Sequence, residues 1–331
     1  MLEFLINFAL IATGVQLLFF ESTYELEMKN YPQRSCGQLL VRAIGETQPT
    51  GRGKQMRISP AKASHSFTAF LLVLVLVFPR CTTNWQRADI GGSGLSRNEH
   101  MVMAVLWFQT SAEARALYYQ AFNTARHRLD HELETNKSQR KKAVVIDIDD
   151  TVLDNSPYEA KLIADDLHYP EGWQEWVDSA VAQSLPGALE FLTYAGSRGV
   201  HIFYVSNRKP SEKAATVKNL QTEGFPQLDD AHLLLKAEAS SKENRRKAIA
   251  VDYDIALLVG DNLNDFSNVF EGKSMTGRAN AVDSLKEHFG KRFIVLPNPM
   301  YGAWEGAVYG YDWSLSDPMK DSRRKGAMRI F

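Results

Sequence analysis

The chain has 331 residues, with 38 basic and 39 acidic side chains and a formal net charge of −1. That balance argues against a protein held to nucleic-acid polymer by bulk charge, which leaves a basic footprint. Two cysteines, Cys36 and Cys81, exclude a disulfide-built scaffold. The length suits two average domains, or one large domain with extensions.

Residues 4–20 are apolar but lack a basic flank, and residues 1–55 as a whole show no sustained period. They read as a non-native extension upstream of the true start. A second apolar run, "FTAFLLVLVLVF" at 67–78, has the length of a signal-peptide core and is short for a bilayer span. Met56, Arg57 and Lys62 precede it, so 56–81 reads as an export signal. Cys81 stands where a lipid-modified cysteine would follow, although Pro79 and Arg80 replace the small residues usual before one. The expected location is periplasmic, or the outer membrane through a lipid on Cys81. A buried core segment is the alternative reading of the run. Residues 82–98, ending in "GGSGLSRN", read as a tether.

Residues 99–331 form the main domain. Thr110 and Glu113 have capping-box spacing. Leu117, Phe122, Ala125, Leu129 and Leu133 then recur at helical intervals. His127 and His131, four apart, could share a metal. No HExxH glutamate lies between them, and a solvated or packed helix face explains them better.

From residue 143 the pattern alternates. Five short runs are rich in β-formers: 143–148, 200–205, 232–235, 255–259 and 293–296. Strands interleaved with helices predict an α/β fold with a doubly wound parallel sheet. Such strands are buried on both faces, which suits continuous apolar runs. Residues 154–186 leave this pattern and return. With Trp173 and Trp176 they predict a small, mostly helical cap.

Ligand sites in such sheets lie at the carboxyl ends of the strands. The first run ends in Asp147, Asp149, Asp150 and Thr151, and the second in Ser206, Asn207 and Arg208. Lys242 follows the third, and the fourth ends in Asp261 and then Asp265. Asp147 and Asp149 are two apart, so extended geometry would aim them the same way. One carboxylate can attack phosphorus while the other handles the leaving-group proton. Mg²⁺, a hard cation, would relieve their repulsion and neutralise phosphoryl charge. Ser206 and Lys242 could hold phosphoryl oxygens, and Asp261 would complete the metal site.

DxDxT at 147–151, "VSNR" at 205–208, Lys242 and "GDNLNDF" at 260–266 resemble the four motifs of the HAD superfamily in its four-aspartate form. "LDNSPY" at 153–158, "LPNPMYGAWEG" at 296–306 and "LWFQTSAE" at 106–113 are similar to the class C acid phosphatases, the bacterial lipoprotein 5′-nucleotidase family. The resemblance spans roughly residues 100–312. It implies a HAD-like sheet with Asp147 as nucleophile and as a metal ligand. Asp149 would be the acid and then the base, lending its backbone carbonyl to Mg²⁺. Asp261 would be a further ligand, with Asp265 and Thr151 supporting the metal site. Ser206, Asn207 and Lys242 would hold the phosphate. Trp173, Tyr301 and Trp304 would line the substrate end, where stacking on a nucleobase or nicotinamide ring suits them; core packing is their other reading. Trp176 reads as cap interior. Asp150 stands where the family more often has glutamate.

A phosphoacceptor receiver domain uses similar groups, but its lysine comes last, whereas Lys242 precedes Asp261 and Asp265. A non-catalytic surface lipoprotein binding a nucleotide or another planar ligand such as haem is the alternative from a different class. No GxxxxGK[ST] loop is present. The expected protein is an exported Mg²⁺-dependent phosphatase acting on small phosphomonoesters, 5′-nucleotides and nicotinamide mononucleotide among them. Its oligomeric state, monomer or homodimer, is left open by the sequence.

Overall fold

The computed structural model describes residues 97–236 and 238–331. The expected extension 1–55, the signal 56–81 with Cys81, and the tether as far as residue 96 lie outside the described residues.

Two helices come first, α1 (Val102–Thr110) and α2 (Ala112–Thr135). Ser111 divides them. Its backbone is extended, and its hydroxyl accepts the Ala114 amide at 3.0 Å, satisfying one orphan donor of α2. The cap is therefore Ser111 and not Thr110, which ends α1 and donates its hydroxyl to the Leu106 carbonyl. The buried stripe of α2 runs through Ala114, Tyr118, Phe122, Ala125 and Leu129. Leu117, expected on that stripe, is 40% exposed, because Tyr118 takes the inward place.

All strand pairs are parallel: β1 (Lys141–Ile146), β2 (His201–Val205), β3 (Leu233–Leu234), β4 (Tyr253–Gly260) and β5 (Phe293–Val295). They fall on the five apolar runs. Side chains alternate along β1. Val144 and Ile146 face one layer with Ile202, Tyr204, Leu257 and Val259, where α2 and α5 (Ala188–Ser197) pack. Ala143 and Val145 face the other with Phe203 and Leu258. There α7 (Glu243–Asp252) contributes Ile249 and α8 (Met275–Ser284) contributes Ala281. Two-sided burial makes the apolar β1 side chains costly to truncate: Ile146→Ala would cost about 2–5 kcal/mol.

The strand order is β3-β2-β1-β4-β5. From β1 the chain builds outward through β2 to β3. It then crosses back to lay β4 and β5 on the other side. Loops leaving β1 and β4 diverge, and a crevice opens at their carboxyl ends. A receiver sheet runs 2-1-3-4-5, so the strand order also excludes that reading.

After β1 the chain enters the segment expected as a cap, which holds α3 (Ser156–Ala164) and α4 (Trp173–Ser179). Its base is closed by an antiparallel bridge between Leu153 and Ser184 and by Asp154 N donating to the Gln183 carbonyl at 2.9 Å. Arg97 fastens its far side, donating through its backbone N to Asp166 Oδ1 and through Nη2 to the Asp166 carbonyl, each at 2.8 Å. Between β2 and β3 lies α6 (Lys213–Glu223), and after β5 come α9 (Ala303–Tyr309) and α10 (Asp317–Gly326).

Candidate active site

The Asp147 amide donates to the Val259 carbonyl at 3.0 Å, carrying the ladder one step past β1. The chain then turns sharply, with the Val152 and Leu153 amides both donating to the Ile148 carbonyl. Asp150 sits at φ 52°, in the left-handed region that aspartate enters more readily than most side chains. This turn sends the three aspartates of the opening motif to three different sets of partners.

Asp150 is fully buried and serves as a bracket. Its carbonyl accepts Tyr118 Oη at 2.6 Å, its Oδ1 accepts the Asn155 amide at 3.0 Å, and its Oδ2 accepts the Tyr301 hydroxyl. Burial raises its pKa well above the usual carboxylate range. Asp149 faces the β2 end. Its Oδ1 accepts Arg208 Nη2 and Asn155 Nδ2, both at 2.8 Å, and Arg208 Nε at 3.0 Å; its Oδ2 accepts Ser206 Oγ at 3.2 Å. Burial alone would raise the Asp149 pKa, but the Arg208 charge and these hydrogen bonds outweigh it and lower it.

Asp147 meets Lys242, the residue just before α7. Lys242 Nζ lies 2.5 Å from Asp147 Oδ1 and 2.7 Å from Asp265 Oδ1. All three side chains are almost wholly buried. Burial would lower the lysine pKa, but the two carboxylates more than reverse this and raise it. Burial raises the Asp147 pKa well above normal, Lys242 opposes that, and the neighbouring carboxylates add to it.

Asp261 leaves β4 beside them. Thr151 Oγ1 accepts the Asp261 amide at 3.1 Å, so the first and fourth motifs are tied directly. Asn298 Nδ2 donates to Asp261 Oδ2 at 2.8 Å. Burial first, then the Asp265 charge, pushes the Asp261 pKa up to about 7. Asp265 lies against Gly260 so closely that a Cβ there would come within 2.2 Å of its Oδ2.

Among the described residues, Asp147, Asp261 and Asp265 form a group whose ligand oxygens lie within 4.8 Å of one another. Three carboxylates with no competing soft donor fit a hard divalent cation. The sequence placed the Asp147 and Asp261 carboxylates and the Asp149 backbone carbonyl around the metal. The carboxylate group contains Asp265 as well, and the Asp149 carboxylate lies apart, on Arg208 and Ser206.

The predicted phosphate holders converge at the same sheet edge. Ser206 Oγ is buried beside Asp149 and accepts the Arg208 amide at 3.1 Å. Asn207 is exposed. Its Oδ1 accepts Arg245 Nη2 at 2.7 Å. The aromatic candidates separate. Trp173 packs edge-on against Tyr158 with the Arg208 guanidinium 5.6 Å from its ring. Tyr301 turns its hydroxyl inward to Asp150, and Trp304 is 47% exposed. Trp176 packs on the core and also donates to Asn155 Oδ1 at 2.8 Å, so it braces the Asp149 partner.

Several of these contributors had no role in the sequence reading: Arg208, Asn155, Asn298, Arg245 and Tyr118. Arg208, Asn155 and Asn298 stand inside quoted motifs, and their side-chain chemistry was the available signal. Tyr118 carried no local signal, since its partner Asp150 lies 32 residues away.

A parallel sheet that gathers carboxylates, a lysine and a serine hydroxyl at its switch point defines a hydrolase acting on phosphate esters. Residues 93–304 match the family described as HAD superfamily, subfamily IIIB (acid phosphatase). The chain belongs to that family. Its fold is similar to the class C acid phosphatase of Bacillus anthracis, at 45% identity and a TM-score of 0.69, covering 71% of this chain and 99% of that one. The same enzyme with tungstate bound matches with a TM-score of 0.68. Among plant proteins, a stem 31 kDa glycoprotein of Glycine max is 28% identical over 200 residues, covering 58% of this chain and 69% of that protein. Acid phosphatase 1 of Solanum lycopersicum is 26% identical over 170 residues, 47% of this chain and 57% of that protein. The chain is thus a phosphomonoesterase whose substrate class is small phosphate esters.

Proposed function

We propose that the chain is an exported, Mg²⁺-dependent acid phosphatase that removes the terminal phosphate of 5′-nucleotides, nicotinamide mononucleotide included, through an aspartyl-phosphate. The observation that carries this reading is the Asp147 carboxylate, buried beside Lys242 in the group with Asp261 and Asp265. Asp147 Oδ would attack phosphorus as the ester P–O bond breaks, and Asp149, ionised in its bonds to Arg208, would have to take up a proton at acid pH before giving it to the departing oxygen. In the second half Asp149 would take a proton from the water that attacks the phosphorus, freeing inorganic phosphate and Asp147. Ser206 and Lys242 would hold the non-bridging oxygens. Asp147, Asp261 and Asp265 would hold the cation, which when bound supplies positive charge against the phosphoryl group.

Trp173, beside Arg208 at the cap, supports a planar leaving group; exposed Trp304 offers a second aromatic face. Export rests on the pattern of residues 56–81. The test follows phosphate release from 5′-AMP, nicotinamide mononucleotide and an aryl phosphate, with Mg²⁺ and with EDTA, for wild type and Asp147→Asn. The expected result is Mg²⁺-dependent release that Asp147→Asn abolishes in a folded protein. Near wild-type turnover in that variant would remove Asp147 as nucleophile. Equal rates on all three esters would remove the nucleotide preference. Recovery in the cytoplasm after cell fractionation would remove export.

A further inference from the structure

Three cations open α7. Lys242 points at the carboxylates, and the next two, Arg245 and Arg246, reach to opposite sides of it. Arg246 is buried and donates through Nη1 to the Asn264 and Asp265 carbonyls at 3.0 and 2.8 Å, gripping the loop after β4. Arg245 grips the loops on the other side. Its Nη1 donates to the Ser206 carbonyl at 2.6 Å and the Leu234 carbonyl at 3.3 Å. Its Nη2 donates to Asn207 Oδ1 at 2.7 Å and to the Ser240 and Ser241 carbonyls at 3.4 Å.

One guanidinium therefore joins the carboxyl end of β2, the carboxyl end of β3 and the segment leading into Lys242. Ser206 and Lys242 come from separate stretches of chain: the Ser206 amide donates to the Leu234 carbonyl at 3.2 Å and the Lys236 amide to the Arg208 carbonyl at 3.0 Å, and Lys242 lies six residues beyond Lys236. Arg245 makes these bonds with its two terminal nitrogens only. A planar fork can hold acceptors on two loops at a set spacing, and an ammonium, a single point of charge, cannot.

We propose that Arg245 is a positioning residue, which holds the Ser206–Asn207 loop and the Lys242 segment at the spacing that binds a phosphate group. The proposal rests on the reading of Ser206 and Lys242 as phosphate holders. It assigns Arg245 no contact with the substrate. Misplacing one of two holders by about an ångström weakens their joint grip, an effect on the order of ten- to a hundredfold.

The test measures the inhibition constant for inorganic phosphate, with KM and kcat for an aryl phosphate, in the metal-loaded enzyme below its melting temperature. Arg245→Ala is expected to raise the phosphate inhibition constant by about tenfold or more, and Arg245→Lys, which keeps the charge and loses the fork, by roughly a third to half as much on a logarithmic scale. Asn207→Ala in a double-mutant cycle with Arg245→Lys is expected to be non-additive, since the two side chains share one bond. A lower melting temperature with the inhibition constant within about twofold of wild type, in either folded Arg245 variant, would overturn the proposal. Additivity with Asn207→Ala would overturn it too, in favour of direct phosphate contact. Ser206→Ala and Lys242→Ala are run beside them. If neither weakens phosphate, the reading of the site itself fails; if both do and Arg245→Lys does not, only the positioning role fails.

Discussion

Glu159 on α3 is 7% exposed and lies near Glu305 on α9. Burial first, then the Glu305 charge, pushes its pKa from an ordinary 4.5 up to about 8. The folded protein thus holds a proton on Glu159 that the unfolded chain releases above pH 4.5. Stability from this group is fully present below pH 4.5 and is lost as pH rises through 8. At about 1.4 kcal/mol per pH unit, the window carries on the order of 4–5 kcal/mol, before local relaxation reduces it. Glu159→Gln keeps the shape and removes the charge. It is expected to match wild type within about 1 kcal/mol at pH 5 and to exceed it by several kcal/mol at pH 8.5, a gain of roughly 10 °C in melting temperature for a domain of this size. Urea denaturation of both proteins at pH 5, 6.5 and 8.5 measures this. Buried Asp147, Asp150 and Asp261 slope the same way, so the difference between the two proteins isolates Glu159. A gap that stays constant from pH 5 to 8.5 would refute the reasoning.

Gly260→Ala would drive a Cβ to 2.2 Å from Asp265 Oδ2 and 2.7 Å from its Cβ. Asp265 would be displaced, and Mg²⁺ affinity is expected to fall at least about tenfold with a stability loss of about 1–3 kcal/mol; titration calorimetry and urea melts read the two effects. On the proposed metal site, added Mg²⁺ is expected to raise the melting temperature, because the carboxylate group is assembled only in the folded chain. That rise should be lost in Asp261→Asn, and an equal rise in both proteins would place the cation elsewhere.

The sheet was legible because parallel strands buried on both faces are mostly apolar, and each of the five strands overlaps one of the five runs read from the sequence. Acidic motifs at strand ends marked one edge of the fold, since topology puts strand ends together. Details that depend on backbone angle were less legible. Thr110 and Ser111 both had capping chemistry, and only the extended backbone at Ser111 chose between them. The different fates of Asp147, Asp149 and Asp150 follow from one tight turn and a left-handed residue within it. Contacts across long stretches of chain were not readable at all. Arg208 finds Asp149 across 59 residues, and Arg245 reaches back 38 residues to Asn207.

The Tyr118 hydroxyl touches the Asp150 carbonyl and, at 3.2 Å, the Pro297 carbonyl, which lies 179 residues further along the chain. Asn298 and Tyr301, the braces of Asp261 and Asp150, arrive in the same late stretch. During synthesis α2 therefore emerges long before the residue that completes its seat. A ribosome that stalls between residues 147 and 297 leaves a chain with Asp147 translated and the supports of the acidic cluster missing. The frame of the acidic cluster is thus completed only when residues 297–301 have been made, and shorter products carry Asp147 and Asp150 without the residues that brace them.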